Sequence, residues 1–511
     1  MSARKDEKLS AYFTGLIDVC EGEEGESLFL TQRSGERFLQ ETAVTESCEV
    51  VPPQKHHFPY IIPRASKVLS YAEREDKALY SDVMAYLQRF SALDEDQWSI
   101  VAHYVFLTYL HDHKSVGYCP ILLFFAVPER GKSRTGKSVS YVAFRGVHLI
   151  ELREANVFRY SQNLHGTLFF DLMDVWKKAE RNGCEDVLLG RYEKGQKCSR
   201  ILYPDRGPFK DTVYYEIFGP TIVATNEPLH KILDTRCLPI IMPNRPGNYE
   251  NPSPDLALDL KERLTAWRAR HLYEHLPDIE PIDGISGRLW DITKPLFQVG
   301  SLVNPAGRNL LKKAILGIAG ERCDSKKDTT EGRIIGIIKD LSAEKDFEHL
   351  REWTIKTSEI LQKFNEGRPV DKHVTSQWIG KKLKSLSLRH RTVNGRSEIM
   401  FAWKEYWTLV EQYGCCPSET PDNEFTTETP HKEVQSFRLD IGIVGSGRFS
   451  PESFPSERYK TLLTPEELEE FTERVAILIS DGCITPEEAE ENAYIMTVRK
   501  SAGGKTNEVE D

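Results

Sequence analysis

Apolar residues along this chain change their spacing several times, and the changes divide it into regions. Between residues 73 and 113 they recur at helical intervals, first Leu79, Val83, Leu87 and Phe90, then Val101, Tyr104, Val105, Leu107 and Leu110. The run at 121–127 that follows is apolar throughout, as a central parallel strand buried on both faces should be. Alternation then predicts a helix over 133–144, a strand over 147–152 and a helix over 155–164. A strand over 167–170, a helix over 172–181 and a strand over 220–225 come next. Strand–helix alternation with short links predicts an α/β fold, an open parallel sheet covered by helices. Residues 263–340 return to helical spacing, with Leu289, Leu296, Val299, Leu310, Leu311 and Ile315.

A smaller unit follows. One helix starts at Thr357 and ends near Asn365, and a second starts at the cap Thr375 and carries Trp378, Ile379, Leu383 and Leu386. Strand-like runs at 388–391 and 398–401 then flank Asn394-Gly395, a short-range hairpin signal. Helix, turn, helix and hairpin predict a winged-helix domain, whose second helix enters the major groove. The ends of the chain are less patterned. Residues 1–72 mix short strand-like runs, such as 27–31, with Gly, Pro and acidic clusters, and carry no recognisable chemistry. Residues 415–460 read as linker. Two capped helix starts, Thr464-Pro465-Glu466-Glu467 and Thr485-Pro486-Glu487-Glu488, predict a helical hairpin within 461–511, with a disordered end from 501. The expected division is 1–72, an α/β core over 73–255, a helical lid over 256–345, the winged helix over 346–414, linker over 415–460 and tail over 461–511.

A length of 511 residues suggests two to four domains, and 40% hydrophobic with 28% charged residues suggests a soluble globular protein. No apolar run approaches the roughly 18 residues of a membrane span, and the N-terminus lacks a signal peptide's apolar core, so a cytoplasmic protein without a membrane partner is expected. The ten cysteines form no C-x-x-C pair and read as free thiols. His103, His111 and His113 read as polar helix positions in preference to a metal clasp. A net charge of −11 argues against coating nucleic acid with the whole surface, so any DNA contact must be local. One stretch qualifies. Lys372, Lys381, Lys382, Lys384, Arg389, Arg391 and Arg396 lie between 372 and 397, where no Asp or Glu occurs. They are the expected DNA contacts, chiefly to phosphates. A solvated basic face used for protein contact is the alternative.

Candidate phosphate chemistry follows the apolar strand, in Arg130-Gly131-Lys132-Ser133-Arg134-Thr135-Gly136-Lys137-Ser138. A loop of this composition wraps backbone N–H groups around phosphate at a helix N-terminus, with Lys reaching the outer phosphates and Ser ligating magnesium. Two registers compete. The pattern G-x-x-x-x-G-K-S fits 131–138 literally. The upstream register, 126–133, lacks its first Gly but joins the strand directly and leaves a longer helix before Gly146, so Lys132 and Ser133 are preferred. ATP with Mg²⁺ is the expected ligand. Asp171, ending the next strand, is the expected partner of the magnesium. The acid that would follow it is replaced by Leu172, with Asp174 as the possible substitute. Asn226, after the strand 220–225, could orient the attacking water, and Arg236 could act on a neighbouring subunit's nucleotide.

The order of these elements resembles the helicase-like P-loop ATPases (AAA+/RecA-like sheets with a helical lid) of phages, plasmids and integrated mobile elements. The resemblance rests on ILLFFAVPERGKSR, VFRYSQNLHGTLFFDLMD, IVATNEP and LDTRCLPIIMPNR, and covers roughly residues 75–345. It implies an ATP-dependent DNA helicase or translocase working as a homo-oligomeric ring in replication, beside a primase-polymerase. It also implies P-loop, magnesium, sensor and arginine-finger roles for Lys132, Ser133, Asp171, Asn226 and Arg236. Gly287-Arg288-Leu289-Trp290 resembles the start of that family's lid, which would bring Arg288 to the nucleotide. The rival from another class is a nucleotide-dependent initiator or regulator that binds DNA without unwinding it.

Overall fold

A computed structural model describes residues 9–413, apart from residues 14, 46–48, 208–209, 228–229, 246, 346–351 and 394–395. The expected linker and tail, the Asn394-Gly395 turn and the side chain of Arg396 lie outside the described residues. Six short strands come first: β1 (Leu9–Ser10), β2 (Asp18–Glu21), β3 (Ser27–Arg33), β4 (Glu36–Gln40), β5 (Ala43–Val44) and β6 (Glu49–Val51). They form two three-stranded sheets, β2-β3-β4 and β1-β6-β5. Helices α1 (Ala65–Ala72), α2 (Leu79–Gln88) and α3 (Glu95–Leu110) follow. α3 is buried on every face from Trp98 to Leu110, which makes it the central helix of the core.

The α/β region runs β7 (Ile121–Phe125), α4 (Lys132–Val142), β8 (Val147–Leu149), α5 (Glu154–Leu164), β9 (Leu168–Asp171), α6 (Val175–Asn182) and α7 (Glu185–Gly190). After it come the antiparallel hairpin of β10 (Lys197–Ile201) and β11 (Thr212–Glu216), then β12 (Thr221–Thr225), α8 (Lys231–Asp234) and β13 (Cys237–Ile241). Five of these strands make one parallel sheet in the order β13-β7-β12-β9-β8. Its pleat sends alternate residues to two cores. Leu122, Phe124, Phe169, Ile222 and Leu238 pack with α3 and α4, while Ile121, Leu123, Phe170, Val223 and Cys237 pack with α5, α6 and α7. Burial on both faces is why β7 reads as apolar throughout. The sheet and its covering helices fit a P-loop or RecA-like architecture. Several expected boundaries move: β7 ends at Phe125, α4 at Val142 and β8 at Leu149, and α6 starts only at Val175, because Leu172 still pairs with Ala224 and Asp174 caps the helix by accepting from Lys177 N at 3.0 Å.

Four helices succeed the sheet, α9 (Pro254–His271), α10 (Gly287–Val303), α11 (Arg308–Lys327) and α12 (Thr330–Glu344). α9, α10 and α11 share the core of α1, α2 and α3, whereas Ile334 and Ile338 of α12 belong to a different core. That second core is the C-terminal unit: β14 (Glu352–Lys356), α13 (Thr357–Asn365), α14 (Ser376–Ser385), β15 (Arg389–Val393), β16 (Arg396–Ala402) and α15 (Trp403–Gln412). Its strands form an antiparallel sheet in the order β14-β16-β15. β14 and α15 extend the helix–helix–hairpin pattern read from the sequence.

Buried charge fastens the N-terminal strands to this core. Arg145 donates to Asp18 Oδ1 at 2.8 Å and to Leu164 O at 2.9 Å. Arg268, 1% exposed, grips both oxygens of Asp112 at 2.6 and 2.7 Å and donates to the carbonyls of Leu16, Ile17 and Tyr109. Each guanidinium lies 4.5 Å from the Phe144 ring centroid. Truncating one partner of such a pair leaves a buried charge uncompensated. Asp112→Ala is therefore expected to cost about 3 kcal/mol, measurable as a lowered urea midpoint, and an unchanged midpoint would refute the clamp.

Candidate functional site

The C-terminal edge of the sheet collects the polar residues. Beyond Phe125 the chain turns through Glu129 (φ 67°) and Gly131 (φ 80°), then enters α4 at Lys132. Nothing crowds Gly131, so its left-handed backbone is what calls for glycine. The first turn of α4 thus presents free N–H groups and the positive end of the helix dipole beside β7. Lys132 is buried and its Nζ donates to Val127 O at 2.9 Å. Burial lowers its pKa, and the nearby Asp171 works against that. Arg130 has a buried Nη1 without a hydrogen-bond partner. A loop in which an ammonium rests on its own carbonyl and a guanidinium nitrogen is unpaired suits an anion with several oxygens.

Ser133 Oγ donates to Asp171 Oδ1 at 2.8 Å, which places the hydroxyl and the carboxylate side by side. Burial works to raise the pKa of Asp171, but His148 and the Ser133 hydroxyl outweigh it and hold it below the ordinary carboxylate value. His148 Nε2 stands 3.8 Å from Asp171 Oδ2, and its ring stacks on Phe169 at 4.9 Å. Pairing of β9 with β12 sets Asp171 opposite Ala224, so Asn226 follows at the same edge, its N–H donating to Met173 O at 3.1 Å. Asp174 is engaged elsewhere, capping α6 and pairing with Lys177 Nζ at 3.0 Å. Leu172 is 4% exposed and points into the opposite core from Phe169.

The downstream motif residues lie inside α4. Gly136 packs on the sheet, where an added Cβ would come within 2.3 Å of the Phe169 ring. Ser138 is buried and donates to Thr135 O at 2.8 Å, while Arg134 and Lys137 are half-buried on the same helix. Arg236 and Arg288 do not join this edge. Arg236 precedes β13, and its carbonyl accepts the N–H of Ile121, the first residue of β7, at 3.0 Å. Arg288 donates to Thr235 Oγ1 at 3.0 Å. Both arginines therefore stand at the N-terminal edge of the sheet, opposite the loop, and Arg288 does not reach the nucleotide side that its lid-like position implied.

In the C-terminal unit, Lys372, Lys381, Lys384, Arg389 and Arg391 are exposed and Lys382 is half-buried. Acids from outside the basic stretch answer three of them: Glu331 pairs with Lys382 at 2.6 Å, Glu405 with Arg389 at 2.5 Å and Glu398 with Arg391 at 3.2 Å. The histidines serve locally. His103 and His111 bond the carbonyls of Ser99 and Thr108, and burial lowers both pKa values to about 4; His113 bonds Glu274 O. Among the described residues no His, Cys, Asp or Glu cluster could hold a metal by itself, and Cys20, Cys119, Cys184, Cys198, Cys237 and Cys323 are free. Sequence reasoning missed His148, which sits in no motif and is brought beside Asp171 by the pairing of β8 with β9.

No protein-family model matches the chain, and no curated protein matches it. Among solved structures, the apo form of the NrS-1 C-terminal region is similar at 12% identity, covering 76% of this chain and 96% of that one, with a TM-score of 0.32. The SCCmec type IV Cch active helicase is similar at 12% identity over 79% of this chain and 80% of that one, with a TM-score of 0.30. Similarity of this size assigns no activity. Among the described residues no helix is long and apolar enough to cross a membrane.

The Gly136 contact is open to test. Gly136→Ala should destabilise the protein by about 1–3 kcal/mol through the clash with Phe169. Adding Phe169→Leu should recover part of that loss in thermal unfolding, and equal melting of native and Gly136→Ala protein would contradict the packing.

Proposed function

We propose that the chain is an ATP- and Mg²⁺-dependent ATPase that acts on DNA as a helicase or translocase, in the replication of a mobile element or phage. The observation that carries this reading is the Ser133–Asp171 hydrogen bond beside Lys132 at the start of α4. In this reading Lys132 leaves the Val127 carbonyl for the outer phosphates, and Arg130 turns its unpaired nitrogen to them. Ser133 and Asp171 would hold the metal. Bound Mg²⁺ would neutralise charge on the β- and γ-phosphates during transfer to water. Asn226, one strand over from Asp171, positions that water. The same geometry supports the upstream register, with Lys132 and Ser133 as the working pair and Lys137 and Ser138 within α4.

Residues 346–414 serve as a winged helix in this reading, with Lys372, Lys381 and Lys384 carrying most of the phosphate contact because their neighbours are answered by acids. Arg236 stands at the sheet edge opposite its own loop and serves a neighbouring subunit in a ring. A second reading, a nucleotide-dependent DNA-binding regulator that does not unwind, is favoured by one observation: the buried Leu172 where a water-polarising acid would stand.

ATP turnover with and without single-stranded DNA separates these readings. Lys132→Ala should lower DNA-stimulated turnover by about 100-fold or more, the scale of losing one charge-stabilising donor, while Lys137→Ala stays near native. Loss confined to Lys137→Ala would move the site to the downstream register. Nucleotide binding without turnover in the native chain would replace the motor by the regulator.

A further inference from the structure

The outermost strand of the sheet brings one more group to the loop edge. His148 of β8 pairs in register with Phe169 of β9, and Asp171 stands two residues further along β9, on the same face. The His148 ring stacks on Phe169, with centroids 4.9 Å apart and planes 19° apart. Phe169 in turn packs on Gly136 of α4, where an added Cβ would meet its ring at 2.3 Å. The imidazole therefore rests on a ring that α4 already holds in place, and its Nε2 stands 3.8 Å from Asp171 Oδ2.

That nitrogen is buried and has no hydrogen-bond partner. A buried polar atom left unpaired is costly, and its persistence calls for a reason. Asp171 supplies one. Its Oδ1 accepts from Ser133 Oγ at 2.8 Å, but a carboxylate anchored at one oxygen still swings about that bond. A donor at Oδ2 would fix its plane, and His148 is the side chain placed there. A movement of about 1 Å brings Nε2–H into the ordinary donor range of roughly 2.7–3.2 Å. The side chains of His148 and Asp171 are only 22% and 24% exposed, so water competes weakly for such a bond.

We propose that His148 is a positioning residue for Asp171: its Nε2–H donates to Oδ2 and holds the carboxylate in the orientation that takes Mg²⁺ with the nucleotide. This role rests on the nucleotide-binding reading above and adds to it a residue from outside the loop. Side chains that hold a metal are oriented by outer partners of this kind, whose loss costs about 10–100-fold in metal affinity.

The test uses the full chain as native protein, His148→Phe and His148→Gln. Mg²⁺ is titrated against binding of a fluorescent, non-hydrolysable ATP analogue, and Mn²⁺ binding is followed by electron paramagnetic resonance. Phenylalanine keeps the stack on Phe169 and loses the donor; glutamine keeps a donor at the reach of Nε2 and loses the stack. His148→Phe should need about 10-fold or more additional Mg²⁺, and lose Mn²⁺ affinity to match, with metal-free analogue binding unchanged. His148→Gln should recover most of the native metal dependence. The reverse order, a native-like His148→Phe and an impaired His148→Gln, would overturn the proposal in favour of packing alone. Equal loss in both variants, with native melting temperatures, would overturn it in favour of an imidazole that ligates the metal itself. Native protein that binds the analogue without any need for Mg²⁺ would sink the proposal together with the metal part of the reading above. A native chain that binds no analogue would sink the nucleotide reading itself, and this role with it.

Discussion

Parallel strands all end on one edge, and the placement of every candidate phosphate-site residue in this protein depends on that constraint. β7, β9 and β12 lie side by side in register, so the chain leaves the sheet at Phe125, Asp171 and Thr225 within neighbouring strand spacings. Lys132, Ser133 and Asp171 therefore meet although they are far apart in sequence, and Asn226 comes to the same edge. The same constraint holds the residue before β13 at the opposite edge, which separates Arg236 from Lys132 as firmly as it joins Lys132 to Asp171. A parallel sheet keeps this geometry only if both faces are covered, and here the covering is complete: α3, α4 and α9 on one side, α5, α6 and α7 on the other.

Covering the first face uses more of the chain than the sheet and its crossover helices. Ile17, Cys20 and Leu30 of the N-terminal strands enter the same core as α3 and α9, and Asp18 reaches Arg145 immediately after α4 and Phe144. Buried ion pairs add little net stability, because desolvation offsets attraction, but a mismatch in them is costly. Their effect here is on arrangement. The N-terminal strands can sit in one place only, where Asp18 meets Arg145 and the carbonyls of Leu16 and Ile17 meet Arg268. The helix α4 is thereby backed by a region that looks featureless in sequence.

What could be read in advance follows from which features have a period. The apolar run of β7, the helical spacing through α3 and the strand ends at Asp171 and Thr225 are periodic, and they were legible. The N-terminal sheets were not, since their strands are short and their anchors are single polar residues paired across more than a hundred positions. Charge was legible only in part. The acid-free stretch from Lys372 to Ser397 is real in sequence, yet Glu331, Glu398 and Glu405 come from outside it and answer three of its cations. Arg288 was assigned to the nucleotide by the order of elements, and order cannot tell which edge of a sheet a helix start will touch. Gly136 lay between these cases: it fits the literal motif, and its lack of a side chain is also required by Phe169.

Leu172 bears most directly on what the site can do. Its N–H donates to Ala224 O, which extends the β9–β12 pairing by one residue and turns the side chain away from Asp171 into the core of α5, α6 and α7. A carboxylate with that backbone would be buried among apolar residues without a partner, and its pKa would rise until it was neutral. Leu172 thus belongs to the packing of this strand, and an acid could not take its place without moving the strand end. In the proposed ATPase, polarising water would then fall to the edge that Asn226 shares with Asp171, because residue 172 is committed to the core.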